Sequence, residues 1–159
     1  MPGLLWENQL LNQNYRDILS ALLKESADFL LVGAHALAAH GVPRATGDMD
    51  IYIRGTKSNA EKVWRALADF GAPLSGLNID DLESPDLVFQ VGVAPSRIDI
   101  LTFIDGVEFE EAWTNKVVQD IEGFPVPIIS REDLLRNKKA SGRPRDLADI
   151  ASLEEVSPD

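Results

Sequence analysis

The chain has 159 residues, of which 26 are acidic and 15 are Lys or Arg, so its formal net charge is −11. This acidic excess argues against binding to extended duplex DNA, because proteins that grip duplex DNA normally show a basic face. The sequence contains no cysteine, which excludes a disulfide framework and a thiolate zinc site. No apolar run approaches the roughly 20 residues of a membrane span, and no signal-peptide pattern is recognisable. We therefore expect one cytoplasmic domain, residues 1–159, with no membrane contact.

The N-terminal part is predicted to alternate helix and strand. Apolar residues recur at helical spacing near residues 7–25, which predicts a first helix with one buried stripe. Residues 29–32 predict a strand, and Gly33 turns the chain into a short helix that ends before Pro43. The N–H groups at a helix start favour anions, so this turn is a candidate phosphate-binding element. His35 lies in the first turn and is a candidate nucleotide contact, with a packing role as the alternative.

The next predicted strand, residues 48–53, carries two carboxylates on one face. Strand side chains alternate, so Asp48 and Asp50 point the same way while the apolar residues between them face the core. Two carboxylates about 7 Å apart repel each other unless a cation lies between them, and oxygen ligands suit Mg²⁺ or Mn²⁺. The alternative is an exposed strand end with two solvated aspartates. Asp99 lies within another apolar strand, residues 97–103, and would add a third carboxylate if the two strands are neighbours.

The loop before this strand carries two polar side chains that could support the site. Arg44 could pair with a carboxylate or a phosphate, and Thr46 could cap the backbone at the strand end. For an arginine in a loop, plain solvation is the alternative. Because Arg44 lies close to Asp48 in the sequence, we favour an ion pair that holds the site.

The middle of the chain is predicted to add a helix and two hairpins. A capping-box pattern opens a helix over residues 58–71, and an alternating strand over residues 87–93 leads through a turn into the strand of Asp99. A second hairpin is predicted over residues 116–129. Its second strand contains Pro125 and Pro127, which cannot donate to a ladder, so we expect that strand at the edge of the sheet. A second copy of the chain or another protein could cover such an edge.

Two helices are predicted at the C-terminal end, one starting at Ser130 and one near Pro144. Lys138 and Arg143 lie beside the turn between them. If this turn faces the carboxylates, the two cations could hold a triphosphate. The alternative is a solvated basic turn.

These residues resemble a known family. Gly33-Ala34, then thirteen residues, then Asp48-Met49-Asp50, with Asp99 on a later strand, is similar to the pattern of the DNA polymerase β-like nucleotidyltransferase superfamily. The stretch VGAHALAAHGVPRATGDMDIYI resembles its small bacterial and archaeal members, grouped with AbiEii-type toxins and minimal nucleotidyltransferases. The C-terminal NKKASGRPRDLADIASLE is similar to their helical tail. One departure is Ala34, which stands where these proteins usually have a second Gly or a Ser.

The resemblance implies a fold and a reaction. The fold would be α/β (α+β), with a mixed, twisted sheet of about five strands, packed helices and a short helical C-terminal tail. The reaction would be transfer of a nucleoside monophosphate from an NTP to an acceptor hydroxyl, with Asp48, Asp50 and Asp99 as catalytic residues and ligands of two Mg²⁺ (or Mn²⁺) ions. Gly33 and Ala34 would cradle the phosphates through their N–H groups.

The partners implied are an NTP and an acceptor that the sequence does not identify: tRNA, a protein or a small molecule. A place in a toxin–antitoxin or phage-defence system also follows from the resemblance. The alternative is a non-catalytic protein of the same fold that acts as a partner or antitoxin subunit. The departure at Ala34 favours this alternative, whereas the presence of all three aspartates favours the enzyme.

Overall fold

The computed structural model describes residues 12–43, 48–93 and 96–156. Six α-helices, one 3₁₀-helix and six strands make up these ranges. In chain order they are α1 (Gln13–Lys24), β1 (Phe29–Val32), α2 (Gly33–Ala39), β2 (Asp48–Ile53), α3 (Lys57–Phe70), the 3₁₀-helix (Ile79–Glu83), β3 (Val88–Val91), β4 (Arg97–Leu101), α4 (Phe109–Asn115), β5 (Val117–Ile121), β6 (Phe124–Ile128), α5 (Arg131–Ser141) and α6 (Pro144–Glu155).

The strands form one mixed sheet in the order β3-β4-β2-β1-β6-β5. The pairs β1–β2, β3–β4 and β5–β6 are antiparallel, whereas β2–β4 and β1–β6 are parallel. The expectation of a mixed α+β sheet is confirmed. The described sheet has six strands rather than about five, because both strands of the second hairpin join it.

The two faces of β2 have different roles. Met49 and Ile51 are fully buried, in one core with side chains of α1 and α3 such as Ile18 and Val63. Burying such an aliphatic side chain contributes about 1.5–3 kcal/mol. Tyr52, of opposite parity, instead contacts Phe109 of α4, with ring centroids 5.1 Å apart. Helix α4 therefore lies on the face of the sheet that carries Asp48 and Asp50.

The helix starts follow local capping chemistry, with small differences from the predicted bounds. Helix α1 begins at Gln13 because the side chain of Asn12 accepts a hydrogen bond from the Asn14 N–H. The residues before Asn12, which the helix was also expected to include, lie outside the described ranges. Helix α3 is capped by Thr56 and not by Ser58.

The prediction that the proline-containing strand is an edge is wrong. Strand β6 lies between β1 and β5, and β5 is the edge. Pairing of β6 with β1 is confined to the end of the strand, at Leu31 and Ile128. There the N–H of Ile129 donates to the carbonyl of Leu31 over 3.1 Å. Alternate residues of a strand direct their N–H groups to the same neighbouring strand, so N–H groups at positions 125 and 127 would point toward β1, like that of Ile129. Pro125 and Pro127 precede the point where β6 pairs with β1, and their missing N–H groups therefore leave no hydrogen bond of the sheet unmade.

The two C-terminal helices pack together and are attached to the loop that follows β4. The Ser130 hydroxyl caps α5, Gly142 ends it with φ +63°, and Pro144 opens α6. Two side chains of α5 reach Asp105. The Asn137 amide donates to its carbonyl over 2.9 Å, and the Ser141 hydroxyl donates to its carboxylate over 3.0 Å. No helix in the described ranges is long and apolar enough to cross a membrane.

Candidate functional site

The sheet register brings the candidate carboxylates together. Parallel pairing of β2 with β4 sets Asp50 directly across from Asp99. Antiparallel pairing of β2 with β1 sets Asp50 beside Val32, the residue before Gly33. Three elements that are distant in the sequence thus meet at Asp50.

Gly33 is required where it stands. Its φ of +67° is unfavourable for any residue with a Cβ. A Cβ at this position would also overlap the carboxylate of Asp50, lying 3.2 Å from its Cγ and 3.3 Å from its Cβ. The glycine turn and the carboxylate are therefore in close approach, as the sequence pattern predicts for neighbouring parts of one site.

Arg97 links two of the three carboxylates. Its guanidinium donates to Asp48 Oδ2 over 2.6 Å, and its Nε lies 3.2 Å from Asp99 Oδ1. The second contact has the distance of an ion pair but not the angle of a hydrogen bond, so the buried Oδ1 of Asp99 has no hydrogen-bond partner among the described residues. A positive charge thus already lies between Asp48 and Asp99.

Burial and crowding of negative charge shift the pKa values of this group. Burial, followed by the charge of Asp99, raises the pKa of Asp50 to about 7. Burial is also the main cause of the raised pKa of Asp99, and Arg97 opposes that shift. Burial together with the three carboxylates raises the pKa of Tyr15 in α1 to about 12. The site therefore has an unmet preference for positive charge.

His35 lies behind the carboxylates. Its ring is fully buried and packs edge-on against Tyr15, with centroids 5.1 Å apart. Burial lowers the pKa of His35 to about 4, which keeps the imidazole neutral. The backbone of Asp48 opposes this lowering of the pKa of His35. Within the described residues, neither ring nitrogen makes a hydrogen bond of standard distance and angle. In this structure His35 supports the strand of the aspartates by packing.

A cavity of about 440 Å³ opens over the carboxylates, within the range of small-molecule sites. Six of the residues singled out from the sequence line it: Gly33, Ala34, Asp48, Asp50, Lys138 and Arg143. Asp99 lies beside this floor, next to Asp50, and His35 is not part of the lining. The expected contributions of Arg44 and Thr46 lie outside the described residues.

Lys138 reaches the cavity from α5 and is held by two buried carboxylates. Its Nζ lies 3.0 Å from Asp149 Oδ2 and 3.4 Å from Asp146 Oδ1, and the lysine side chain is only 10 % exposed. Asp146 also accepts from the Arg143 Nε over 2.8 Å. Burial alone would raise the pKa of Asp146, but the hydrogen bonds from Arg143 hold it below its usual value. One buried carboxylate, Asp146, thus contacts both cations, and residues of the turn line the same cavity as Asp48 and Asp50.

Sequence reasoning missed Arg97 and several residues of the cavity wall. Arg97 precedes Asp99 by two positions on a strand, so alternation alone puts both side chains on one face. That signal was present in the sequence. The other lining residues were not among the predicted site residues, because they follow no recognisable motif: Val32, Leu37, Val88, Leu101, Phe103, Ile104, Asp105, Asn137, Ser141 and Arg145.

The residues present fit a divalent cation in their chemistry. Three carboxylates supply oxygen ligands of the kind Mg²⁺ and Mn²⁺ prefer. Burial and the charge of Asp99 raise the pKa of Asp50, which indicates that added positive charge would be stabilising. Within the described ranges, however, no three His, Cys, Asp or Glu side chains are already gathered around one point.

The fold has a counterpart among solved structures. No protein-family model matches the chain, and no curated protein matches it. The crystal structure of "a putative nucleotidyltransferase" from Thermotoga maritima superposes on it with a TM-score of 0.54, at 17 % identity and over 88 % of each chain. At this identity the likeness shows the fold alone. The chain therefore has a nucleotidyltransferase fold, and the narrower AbiEii-type resemblance stays a prediction.

Proposed function

We propose that the protein is a metal-dependent nucleotidyltransferase that moves a nucleoside monophosphate from an NTP to an acceptor hydroxyl. The observation that carries this proposal is the composition of one cavity. Asp48 and Asp50 line it, with Asp99 adjacent, and Lys138 and Arg143 line the same cavity. Cations and carboxylates around one cavity of about 440 Å³ suit a triphosphate that approaches the carboxylates through a bound metal.

The metal would be held by Asp48, Asp50 and Asp99. When bound, Mg²⁺ or Mn²⁺ would neutralise charge on the triphosphate and on the pyrophosphate that leaves. Lys138 and Arg143 would also neutralise phosphate charge, and the buried Asp146 keeps both side chains in place.

In the transfer itself, the acceptor oxygen would form a bond to the α-phosphorus. The bond from that phosphorus to the oxygen that bridges the α- and β-phosphates would break, and this oxygen would leave with pyrophosphate. The acceptor hydroxyl has to lose a proton, and Asp99, which lies beside Asp50 at the edge of the cavity, is the carboxylate we assign to receive it. Gly33 and Ala34 line the same cavity, where their N–H groups are candidates to contact the phosphates.

The test is a labelling assay with purified protein, Mg²⁺, each α-³²P-labelled NTP in turn, and a total extract of RNA and protein. The wild type runs beside the double variant Asp48→Asn/Asp50→Asn and beside Asp69→Asn, which changes an exposed aspartate of α3 and serves as a surface control. We expect label in one acceptor band with the wild type and with Asp69→Asn, and none with the double variant. No label with any nucleotide, together with no Mg²⁺-dependent NTP binding by calorimetry, would refute the enzyme.

A non-catalytic role is favoured by one observation. Arg97 neutralises part of the acidic floor, so the fold can keep its carboxylates without a metal. On this second proposal the chain is the partner or antitoxin subunit of a toxin–antitoxin or phage-defence system. Retention of fold and partner binding by Asp48→Asn/Asp50→Asn, with no labelling by the wild type, would support it.

A further inference from the structure

One part of the cavity lining is apolar. Val88 of β3 and Leu101 of β4 are cross-strand neighbours, and Phe103 follows just past the end of β4. Leu101 lies two residues after Asp99 and therefore on the same face of the strand, about 7 Å further along it. The apolar wall thus continues directly from the acidic floor.

Phe103 stands out on this wall because it is exposed. Its exposed fraction is 55 %, and among the large hydrophobic residues that are exposed in the described ranges it is the only aromatic one. Val88, which shares the cavity lining, is 60 % exposed. Single exposed apolar residues are ordinary, but these two lie together inside a cavity that also contains charged groups.

The backbone around Phe103 is anchored on both sides. On one side, the Thr102 N–H donates to the Leu87 carbonyl over 3.2 Å, and the Leu87 N–H donates to the Thr102 hydroxyl over 2.9 Å. On the other side, Asp105 accepts hydrogen bonds from Asn137 and Ser141 of α5. The exposed ring is therefore presented by a fixed stretch of chain, as a pre-organised contact surface requires.

The cavity lining thus combines two kinds of surface. One part has cations and carboxylates, and the other has an aromatic ring with aliphatic neighbours. A nucleoside triphosphate has the complementary ends, an anionic chain and a flat aromatic base. Base–aromatic stacking tolerates any base, because every base has a π-face.

Resting on the proposed function, we propose that Phe103 and Val88 form the nucleobase subsite of this cavity, with the base stacked on the ring of Phe103. Recognition is then by apolar contact area, since the wall is built of Val88, Leu101, Phe103 and Ile104. Purine nucleotides bind more tightly than pyrimidine nucleotides, and ATP and GTP bind with similar affinity.

The test compares a ligand that has a base with one that lacks it. Binding of ATP, CTP and inorganic tripolyphosphate in Mg²⁺ is measured by calorimetry for the wild type, Phe103→Ala and Phe103→Tyr. Val118→Ala is the control, because Val118 is similarly exposed at 57 % but lies on the edge strand β5. Phe103→Trp adds a fluorescence readout, since a stacked base quenches indole emission.

We expect Phe103→Ala to weaken ATP binding about tenfold, the size of one base–aromatic stack, and to leave tripolyphosphate binding unchanged. Phe103→Tyr and Val118→Ala should bind ATP like the wild type. If the wild type binds ATP no more tightly than tripolyphosphate, or if Phe103→Ala binds ATP normally, the base subsite is refuted while the triphosphate site stands. If the wild type binds neither ligand, the proposed function fails together with it.

Discussion

Replacing Gly33 by alanine tests the close approach between the glycine turn and the acidic floor. Two costs add at this position. The φ of +67° costs a residue with a Cβ about 1–2 kcal/mol. The new methyl group would overlap the carboxylate of Asp50, and overpacking of this kind costs a further 1–3 kcal/mol, approximately. We therefore expect Gly33→Ala to lower the free energy of unfolding by about 2–5 kcal/mol.

Gly71→Ala is the matched control. Gly71 ends α3 with φ +92°, so it carries the same kind of backbone strain, but a Cβ there meets nothing within 4 Å. Only the backbone cost of about 1–2 kcal/mol remains. Urea unfolding of the two variants beside the wild type isolates the overlap with Asp50 as the difference between them.

A second measurement, Mn²⁺ binding, reports on the position of the Asp50 carboxylate. If the methyl group displaces Asp50, Mn²⁺ binding measured by electron paramagnetic resonance weakens in Gly33→Ala and stays unchanged in Gly71→Ala. Equal losses of stability in the two variants, with unchanged Mn²⁺ binding in both, would refute the reasoning, because the contact between turn and carboxylate would then impose no constraint.

Three further outcomes follow from the charges of the site. Arg97→Met should bind Mn²⁺ about tenfold more tightly, since the guanidinium contributes a charge-assisted hydrogen bond that a metal has to replace; unchanged or weaker binding would contradict this. In EDTA at pH 8, Asp50→Asn should be more stable than the wild type by a few kcal/mol, at about 1.4 kcal/mol per pKa unit. The pKa of Asp50 is about 7 in the folded protein and near 4 in the unfolded chain, so ionised Asp50 destabilises the folded wild type. This destabilisation is absent below about pH 4 and grows as the pH rises through 7. The urea unfolding curves of the two proteins should therefore converge toward about pH 4. Lys138→Met removes the cation that Asp146 and Asp149 share, although Arg143 still pairs with Asp146, so the variant should lose about 3 kcal/mol in the same unfolding assay, the lower end of the cost of breaking a buried ion pair. A near-neutral change would show that this buried ion group is dispensable.

The carboxylate floor was largely predictable because it depends on local alternation. The period of two along a strand puts Asp48 and Asp50 on one face and Asp99 on the polar face of its own strand, whatever the rest of the chain does. The convergence of the two strands was conditional in the sequence, since β2 and β4 are separated by α3 and β3. Their parallel pairing depends on packing across the whole sheet, which no local pattern encodes.

The wrong prediction for β6 and the contacts that were missed likewise depend on packing between distant parts of the chain. Pro125 and Pro127 indicate only that two backbone N–H groups are absent. An inner strand can tolerate this absence where its neighbour does not pair with the prolines, and β6 pairs with β1 only at the end of the strand. The anchoring of Lys138 by Asp146 and Asp149 joins two helices across a turn, and such a contact is set by interhelical packing rather than by spacing. The apolar wall at Phe103 has no signature in the sequence, because an isolated phenylalanine reads as core.

The short pairing between β1 and β6 divides the sheet into two parts. Four strands with the acidic floor are continuously laddered, whereas the β5–β6 hairpin joins them at Leu31 and Ile128. Helix α5 follows the hairpin and carries Lys138, so the anionic floor and this cation belong to parts of the chain that pair in the sheet, within the described residues, at one point. The hydrogen bonds of Asn137 and Ser141 to Asp105 connect these parts again from the other end of α5. Gln119 of β5 also donates to the carbonyl of Ala39 in α2 over 3.2 Å, so side chains as well as strand pairing hold the two sides of the cavity together.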